Sequence, residues 1–176
     1  DKQAPVIVTA GTMSTRKGFA DLVQAMGVLS KKRSARLIIL GDGVLRGELQ
    51  TQVETLGLTD IVSMPGNVTN PLKYFYHADV FVLSSYAEGM PNVLVEAMAC
   101  GCTPVSTDCP TGPSELLFDG KYGYLVPMKD PVAMAAAIDQ ALDNPIPKDL
   151  LAEAVRPFEE DSVIRRHFDV LALREY

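Results

Sequence analysis

Unbroken apolar runs recur along the chain at Val6-Ile7-Val8, Leu37-Ile38-Ile39-Leu40, Ile61-Val62 and Val80-Phe81-Val82-Leu83, with a shorter one around Val105. Their lack of alternation predicts strands covered on both faces, as in a parallel sheet between helical layers. Helical periods lie between them. Phe19, Leu22, Val23, Met26 and Leu29 form one stripe, and Leu45, Leu49, Val53 and Leu56 form a second. Asp130-Pro131 sets an N-cap before a proline at the first helical position and opens a third helix through Met134, Ile138 and Leu142. Strand–helix alternation at this spacing predicts an α/β class: a three-layer, Rossmann-like domain with a mostly parallel sheet. After Asn144-Pro145-Ile146-Pro147 the order changes to two extra helical stretches, near residues 150–155 and 162–173, with no strand after them. The apolar stripe of Val163, Ile164, Phe168 and Leu171 either folds back on the sheet or meets something outside this chain.

The length of 176 residues fits a single domain over 1–176, at roughly 150 residues per domain. A composition of 47% hydrophobic and 22% charged residues excludes disorder, and no apolar run approaches the ~20 residues that span a bilayer. The net charge of -6 argues against a nucleic-acid partner, while leaving room for a small anionic ligand held by backbone N–H groups. Cys100, Cys102 and Cys109 are odd in number and clustered, which fits a reducing compartment such as the cytoplasm rather than a disulfide scaffold. Cys100 and Cys102 stand too close for the usual zinc pair, and no second pair follows, so they read as small buried thiols and no metal is expected. The chain starts at Asp1 without methionine or signal peptide and reads as a piece of something longer.

Ligands of open α/β sheets bind beyond the carboxyl ends of the strands. A dinucleotide site is disfavoured there. Gly11-Thr12-Met13-Ser14 lacks the glycine spacing of a pyrophosphate turn, and in Gly41-Asp42-Gly43-Val44-Leu45-Arg46-Gly47 the last glycine falls one residue late. The strand read as Ile61 to Met64 ends at Pro65-Gly66-Asn67 with no carboxylate for a ribose. The richest turn follows Val80 to Ser85 and runs from Tyr86 to Gly101. Pro91 suits the first turn of a helix and Gly101 its left-handed end. Glu88 then lies in the loop, and Glu96 lies inside the helix on the face of Asn92. Gly89 lets a ligand approach the backbone, and a loop carboxylate suits sugar hydroxyls rather than phosphate, which it would repel. A solvated helix residue for Glu96 and a plain loop charge for Glu88 are the alternatives, against which the apolar neighbours Val95, Ala97 and Met98 weigh.

The segment from Glu88 to Ala99 resembles the E-x7-E motif of retaining GT-B glycosyltransferases of the family 4 type. The likeness covers nearly the whole chain: Gly11 to Phe19, Leu40 to Leu45, Ser106 to Glu115 and Asp119 to Pro127 are similar to the family's turns and loops, and Asp79 to Ser85 to the strand before the motif, in order and spacing. It implies the C-terminal, donor-binding half of a GT-B fold, with the N-terminal acceptor domain absent, in an enzyme that moves a hexosyl unit from a nucleotide sugar to a glycan or lipid-linked acceptor. By this likeness Glu88 binds the sugar ring and Glu96 the ribose. Gly89, Met90, Pro91, Asn92 and Val93 offer backbone N–H groups to the diphosphate and sugar. Gly11 belongs to the same phosphate-side turn, and Gly66, Asn67 and Val68 meet the base. Lys17 neutralises the diphosphate in place of a metal, so Glu88 and Lys17 are the catalytic pair and no cofactor is implied. The implied partners are a UDP-sugar by preference, or a GDP- or ADP-sugar, and the missing domain. Membrane contact is expected only through that domain, in a cytoplasmic protein, and the isolated chain is expected to be inactive.

One departure bears on this. The family's arginine after Gly11 is Thr12, which removes one cation from the diphosphate, and Arg16 sits on a different part of the turn. The rival expectations are a GT-B epimerase or hydrolase half and a binding module without turnover, the latter supported by Thr12. His77 reads as a helix-end residue and His167 as packing.

Overall fold

A computed structural model describes residues 4–158. Six strands, β1 (Val6–Ala10), β2 (Arg36–Leu40), β3 (Val62–Gly66), β4 (Val80–Leu83), β5 (Thr103–Thr107) and β6 (Tyr124–Val126), form one sheet in the order 3-2-1-4-5-6. Every neighbouring pair is parallel. That order places the switch in strand direction of winding between β1 and β4, where a crevice opens at the carboxyl edge.

The apolar runs alternate after all, between two buried faces. Ile7, Leu37, Ile39, Val80 and Val82 join one core with α1 (Phe19–Leu29), α2 (Arg46–Thr55) and α6 (Pro131–Asp143). Val8, Leu40, Phe81 and Leu83 join the other with α3 (Pro71–Tyr76), α4 (Asn92–Ala99), α5 (Pro113–Leu116) and α7 (Lys148–Val155). The result is the expected three-layer α/β domain. All five residues of the first helical stripe are buried, and Asp130 caps α6 by accepting the Ala133 N–H at 2.9 Å. Lys32 and Arg33, just past α1, pair with Asp139 of α6.

Several local expectations change. In the second stripe Leu49 and Val53 are buried, but Leu56 is 43% exposed at the end of α2. The third strand starts at Val62 and runs through Pro65 to Gly66, because its edge position leaves the proline free of a required ladder donor. The short elements α3, α5 and β6 carry no periodic pattern long enough to be read. Pro91 stands at the N-cap of α4 rather than inside its first turn, while Gly101 follows that helix with φ +88° as expected. The stretch near 150–155 is α7; the one over 162–173, with His167 and the stripe of Val163, Ile164, Phe168 and Leu171, lies outside the described residues. Among the described residues, no helix is long and apolar enough to cross a membrane.

Candidate functional site

The loops after β1 and β4 are stitched together at the carboxyl edge of the sheet. The Tyr86 N–H donates to the Arg16 carbonyl at 2.8 Å, the Ser84 hydroxyl to the Lys17 carbonyl at 2.8 Å, and the Tyr86 hydroxyl to Asp21 of α1 at 2.8 Å. Burial, the Asp21 hydrogen bond and the Asp21 charge together push the Tyr86 phenol up to about 12, so it stays a donor at neutral pH. Gly18 is what lets the loops close. It has φ +60°, and a Cβ there would lie 2.0 Å from the Ser84 carbonyl oxygen.

This stitching brings together two residues separated by 71 positions. The Lys17 ammonium donates to Glu88 Oε1 at 2.6 Å, and the Ser85 hydroxyl donates to the same oxygen at 2.6 Å. Both charges are largely withdrawn from water, with side chains 12% and 7% exposed. Burial pushes the Glu88 carboxyl up, but the hydrogen bonds from Lys17 and Ser85 and the charges of Lys17 and Arg16 outweigh it, holding the group below its ordinary range. Arg16 reaches Glu88 Oε2 at 3.4 Å and donates to the Ala87 carbonyl at 2.9 Å. Its guanidinium therefore braces the Glu88 loop.

Gly11 joins this pair to a second region. A Cβ on Gly11 would lie 3.1 Å from Lys17 Cε, so the lysine stem runs along the bare glycine. Beyond it a hollow of about 300 Å³ opens over the ends of β1, β2 and β3, lined by Gly11, Thr12, Asp42, Asn67, Val68 and Pro71 among others. Behind it the Gly66 carbonyl at the end of β3 accepts the N–H of Gly41, one of the lining residues, at 2.9 Å. Thr12 and Asn67 are exposed there.

The remaining candidates sit at the start of α4. Gly89 and Met90 are exposed, and nothing lies within 4 Å of where a Gly89 Cβ would be, so a ligand can reach this backbone. The expectation of amide donors throughout Gly89 to Val93 needs correcting. Pro91 has no N–H, and the Asn92 N–H already donates to the Met90 carbonyl at 2.9 Å. Glu96 is exposed, because α4 buries Leu94, Ala97 and Met98 and turns Asn92 and Glu96 outward. Its apolar sequence neighbours thus gave a misleading picture of its surroundings. Ser85 was missed as a partner of Glu88; a hydroxyl three residues before a loop carboxylate was the available signal.

Size does not mark the site. A hollow of about 660 Å³ lies at the opposite, amino edge of the strands, lined by Val6, Arg36, Tyr74, His77 and Asp79 among others. Its carboxylate has a structural task, since Asp79 accepts the Val6 N–H at 2.8 Å and ties β1 to the start of β4. His77 caps the C-terminus of α3, the helix-end role expected of it.

Residues 4–144 match the family described as Glycosyl transferases group 1. The chain is 35% identical over 138 residues to the Campylobacter jejuni N-acetylgalactosamine-N,N'-diacetylbacillosaminyl-diphospho-undecaprenol 4-alpha-N-acetylgalactosaminyltransferase, covering 78% of this chain and 37% of that protein. It is 32% identical over 174 residues to the lipopolysaccharide core biosynthesis glycosyltransferase LpsE of Rhizobium meliloti, covering 96% of this chain and 50% of that one. The chain thus spans half or less of the length of these relatives. Among solved structures, Anabaena HepE in complex with UDP superposes with a TM-score of 0.84 at 23% identity, over 97% of this chain and 49% of that one. The family match over residues 4–144 and these relatives show that the chain belongs to the group 1 glycosyl transferases, and the sheet order and the structural likeness show the fold of a GT-B domain.

Proposed function

We propose that this chain is the donor-binding half of a retaining glycosyltransferase of the family 4 type, holding a nucleotide-activated sugar while a hexosyl unit passes to a glycan or lipid-linked acceptor. The observation that carries the proposal is the Lys17–Glu88 pair, a carboxylate and an ammonium held 2.6 Å apart beside a glycine-lined hollow. An ammonium has three donors, so Lys17 can keep Glu88 and still turn N–H groups to a diphosphate. The carboxylate keeps lone pairs for sugar hydroxyls. When the acceptor hydroxyl attacks the anomeric carbon from the leaving-group side, the bond to the β-phosphate oxygen breaks. The acceptor proton passes to that oxygen, and Lys17 stabilises the charge developing there without a metal or cofactor.

In this reading Glu96 and the hollow around Gly66, Asn67 and Val68 take the ribose and base. The backbone at Gly89 and Met90 faces the diphosphate and sugar, and Gly11 gives the phosphates access. UDP is the favoured nucleotide, as it is the ligand of HepE, with GDP and ADP as the alternatives. The acceptor is held by a second domain, in keeping with the greater length of the relatives, two of which act by name in undecaprenol-linked glycan and lipopolysaccharide synthesis. The test is calorimetric titration with UDP, GDP, ADP, UDP-glucose and UDP-N-acetylglucosamine in the presence of EDTA. Saturable binding, tightest among the diphosphates for UDP and unchanged by EDTA, is expected. Absence of binding to every nucleotide would refute the proposal.

A further inference from the structure

We propose that Thr111 and Gly112, in the loop after β5, are positioning residues that set where Glu88 and the backbone of Gly89 to Pro91 stand, and through them the fit of the donor's sugar. The inference rests on the reading of Glu88 as the sugar-binding carboxylate. Its observations are separate from those that support that reading.

After β5 the chain turns back across the loop that carries Glu88. The Thr111 hydroxyl lies 2.6 Å from the Glu88 carbonyl oxygen and 2.7 Å from that of Pro110, so its single proton is shared between them. The next residue, Gly112, is buried, and a Cβ there would stand 2.5 Å from the Gly89 carbonyl oxygen and 2.8 Å from Pro91 Cδ. One residue therefore tethers the loop, and the next one leaves the gap into which the loop fits. Thr111 also adopts φ +63°, a region in which a β-branched residue is an outlier. Such a conformation persists where its surroundings over-determine it, and such residues cluster at ligand sites.

The side-chain anchors of Glu88 cannot do this work alone. Lys17 and Ser85 hold the carboxylate, and the Ser85 carbonyl is in turn held by the Thr107 hydroxyl. None of these contacts fixes the peptide groups beyond Glu88. Thr111 and Gly112 do, from the opposite side, so the carboxylate and the following backbone are set relative to one another. Thr111 is itself exposed and, among the described residues, its side chain hydrogen-bonds only to Glu88 and Pro110, so its hydroxyl contributes little to the core.

The test is calorimetry on the 176-residue chain with UDP and with UDP-glucose and UDP-N-acetylglucosamine, reading the ratio of UDP-sugar to UDP affinity within each variant. Thr111→Val keeps the branched shape and loses the hydroxyl, Thr111→Ser keeps the hydroxyl, and Glu88→Gln reports on the sugar site itself. The ratio is expected to fall about two- to tenfold in Thr111→Val, as for loss of one hydrogen bond, and to be restored in Thr111→Ser. It should also fall in Gly112→Ala; if that variant does not fold, the Thr111 pair still decides. A fall in Glu88→Gln with a wild-type ratio in Thr111→Val, or equal falls for valine and serine, would overturn the positioning role alone. A wild-type ratio in Glu88→Gln would overturn the sugar-site reading and this inference with it.

Discussion

The carboxylate of Glu88 is already partnered by Lys17, Ser85 and Arg16, whereas the side chains of Asn67 and Glu96 are exposed and hydrogen-bond to no other described residue. The Lys17–Glu88 pair and the hollow lined by Asn67 meet at Gly11, yet they are built on different terms. In the first, Ser85 is buried, the side chains of Lys17 and Glu88 are largely withdrawn from water, and all three are held by one another, the arrangement that the proposed role in charge stabilisation calls for. In the second, Thr12, Asp42 and Asn67 are exposed beside Gly11 and Gly41, as suits parts of a ligand that are only held. The contrast separates an electrostatic region, sensitive to charge and pH, from a docking region sensitive to individual contacts.

The largest effect should come from breaking the closure that makes the first region. Gly18→Ala puts a Cβ 2.0 Å from the Ser84 carbonyl at φ +60°. It should cost about 2–4 kcal/mol, from left-handed strain and overpacking combined. Gly47→Ala in α2, where nothing lies within 4 Å, should instead stabilise by about 0.4–1 kcal/mol. Urea denaturation of the two variants checks both signs.

Removing the ammonium comes next. Lys17→Met leaves the Glu88 carboxylate buried with only Ser85 and the 3.4 Å contact to Arg16, and should destabilise by about 1–3 kcal/mol near neutral pH. The pH dependence has a definite sign. In the parent protein the folded pKa of Glu88 lies below its ordinary 4.5, so the pair's contribution is present above that value and is lost as pH falls through the lower, folded one. In the variant the hydrogen bond and charge of Lys17 no longer offset burial, so the carboxylate takes up its proton more readily than in the parent. The stability gap should therefore narrow as pH falls through the ordinary 4.5 and on through the parent's lower, folded value. A gap that widens on acidification would mean that Glu88 is not the group responsible.

The smallest effect probes the border between the regions. Thr12 is exposed at the hollow beside Gly11, and Thr12→Arg should tighten UDP binding by about 1 kcal/mol at low salt and less at high salt, because exposed charges are screened. Unchanged affinity at low salt would show that Thr12 does not face the diphosphate.

The two regions also differ in how far the sequence disclosed them. The long strands and α1, α4 and α6 were legible because their apolar positions repeat over enough residues to outweigh noise, and glycines and prolines marked their ends. The elements α3 and β6 were not, since six and three residues carry no period, and Tyr124–Val126 becomes a strand only by pairing with β5. The turns holding Lys17 and Glu88 could each be singled out, but their contact across 71 residues is a product of the sheet order. The exposure of Glu96 was masked by its neighbours, because adjacent residues in a helix point in different directions.

The central claim is that one carboxylate serves the sugar and the other the ribose. The most direct measurement is the affinity of the chain, Glu88→Gln and Glu96→Ala for UDP and for a UDP-sugar. Glu96→Ala should weaken binding of both ligands by about 1–3 kcal/mol, the worth of its hydrogen bonds to the ribose. Glu88→Gln should lose the sugar's share alone, while bare UDP binds no more weakly, because Lys17 is released to the diphosphate. Equal losses for bare UDP in the two variants would contradict the division.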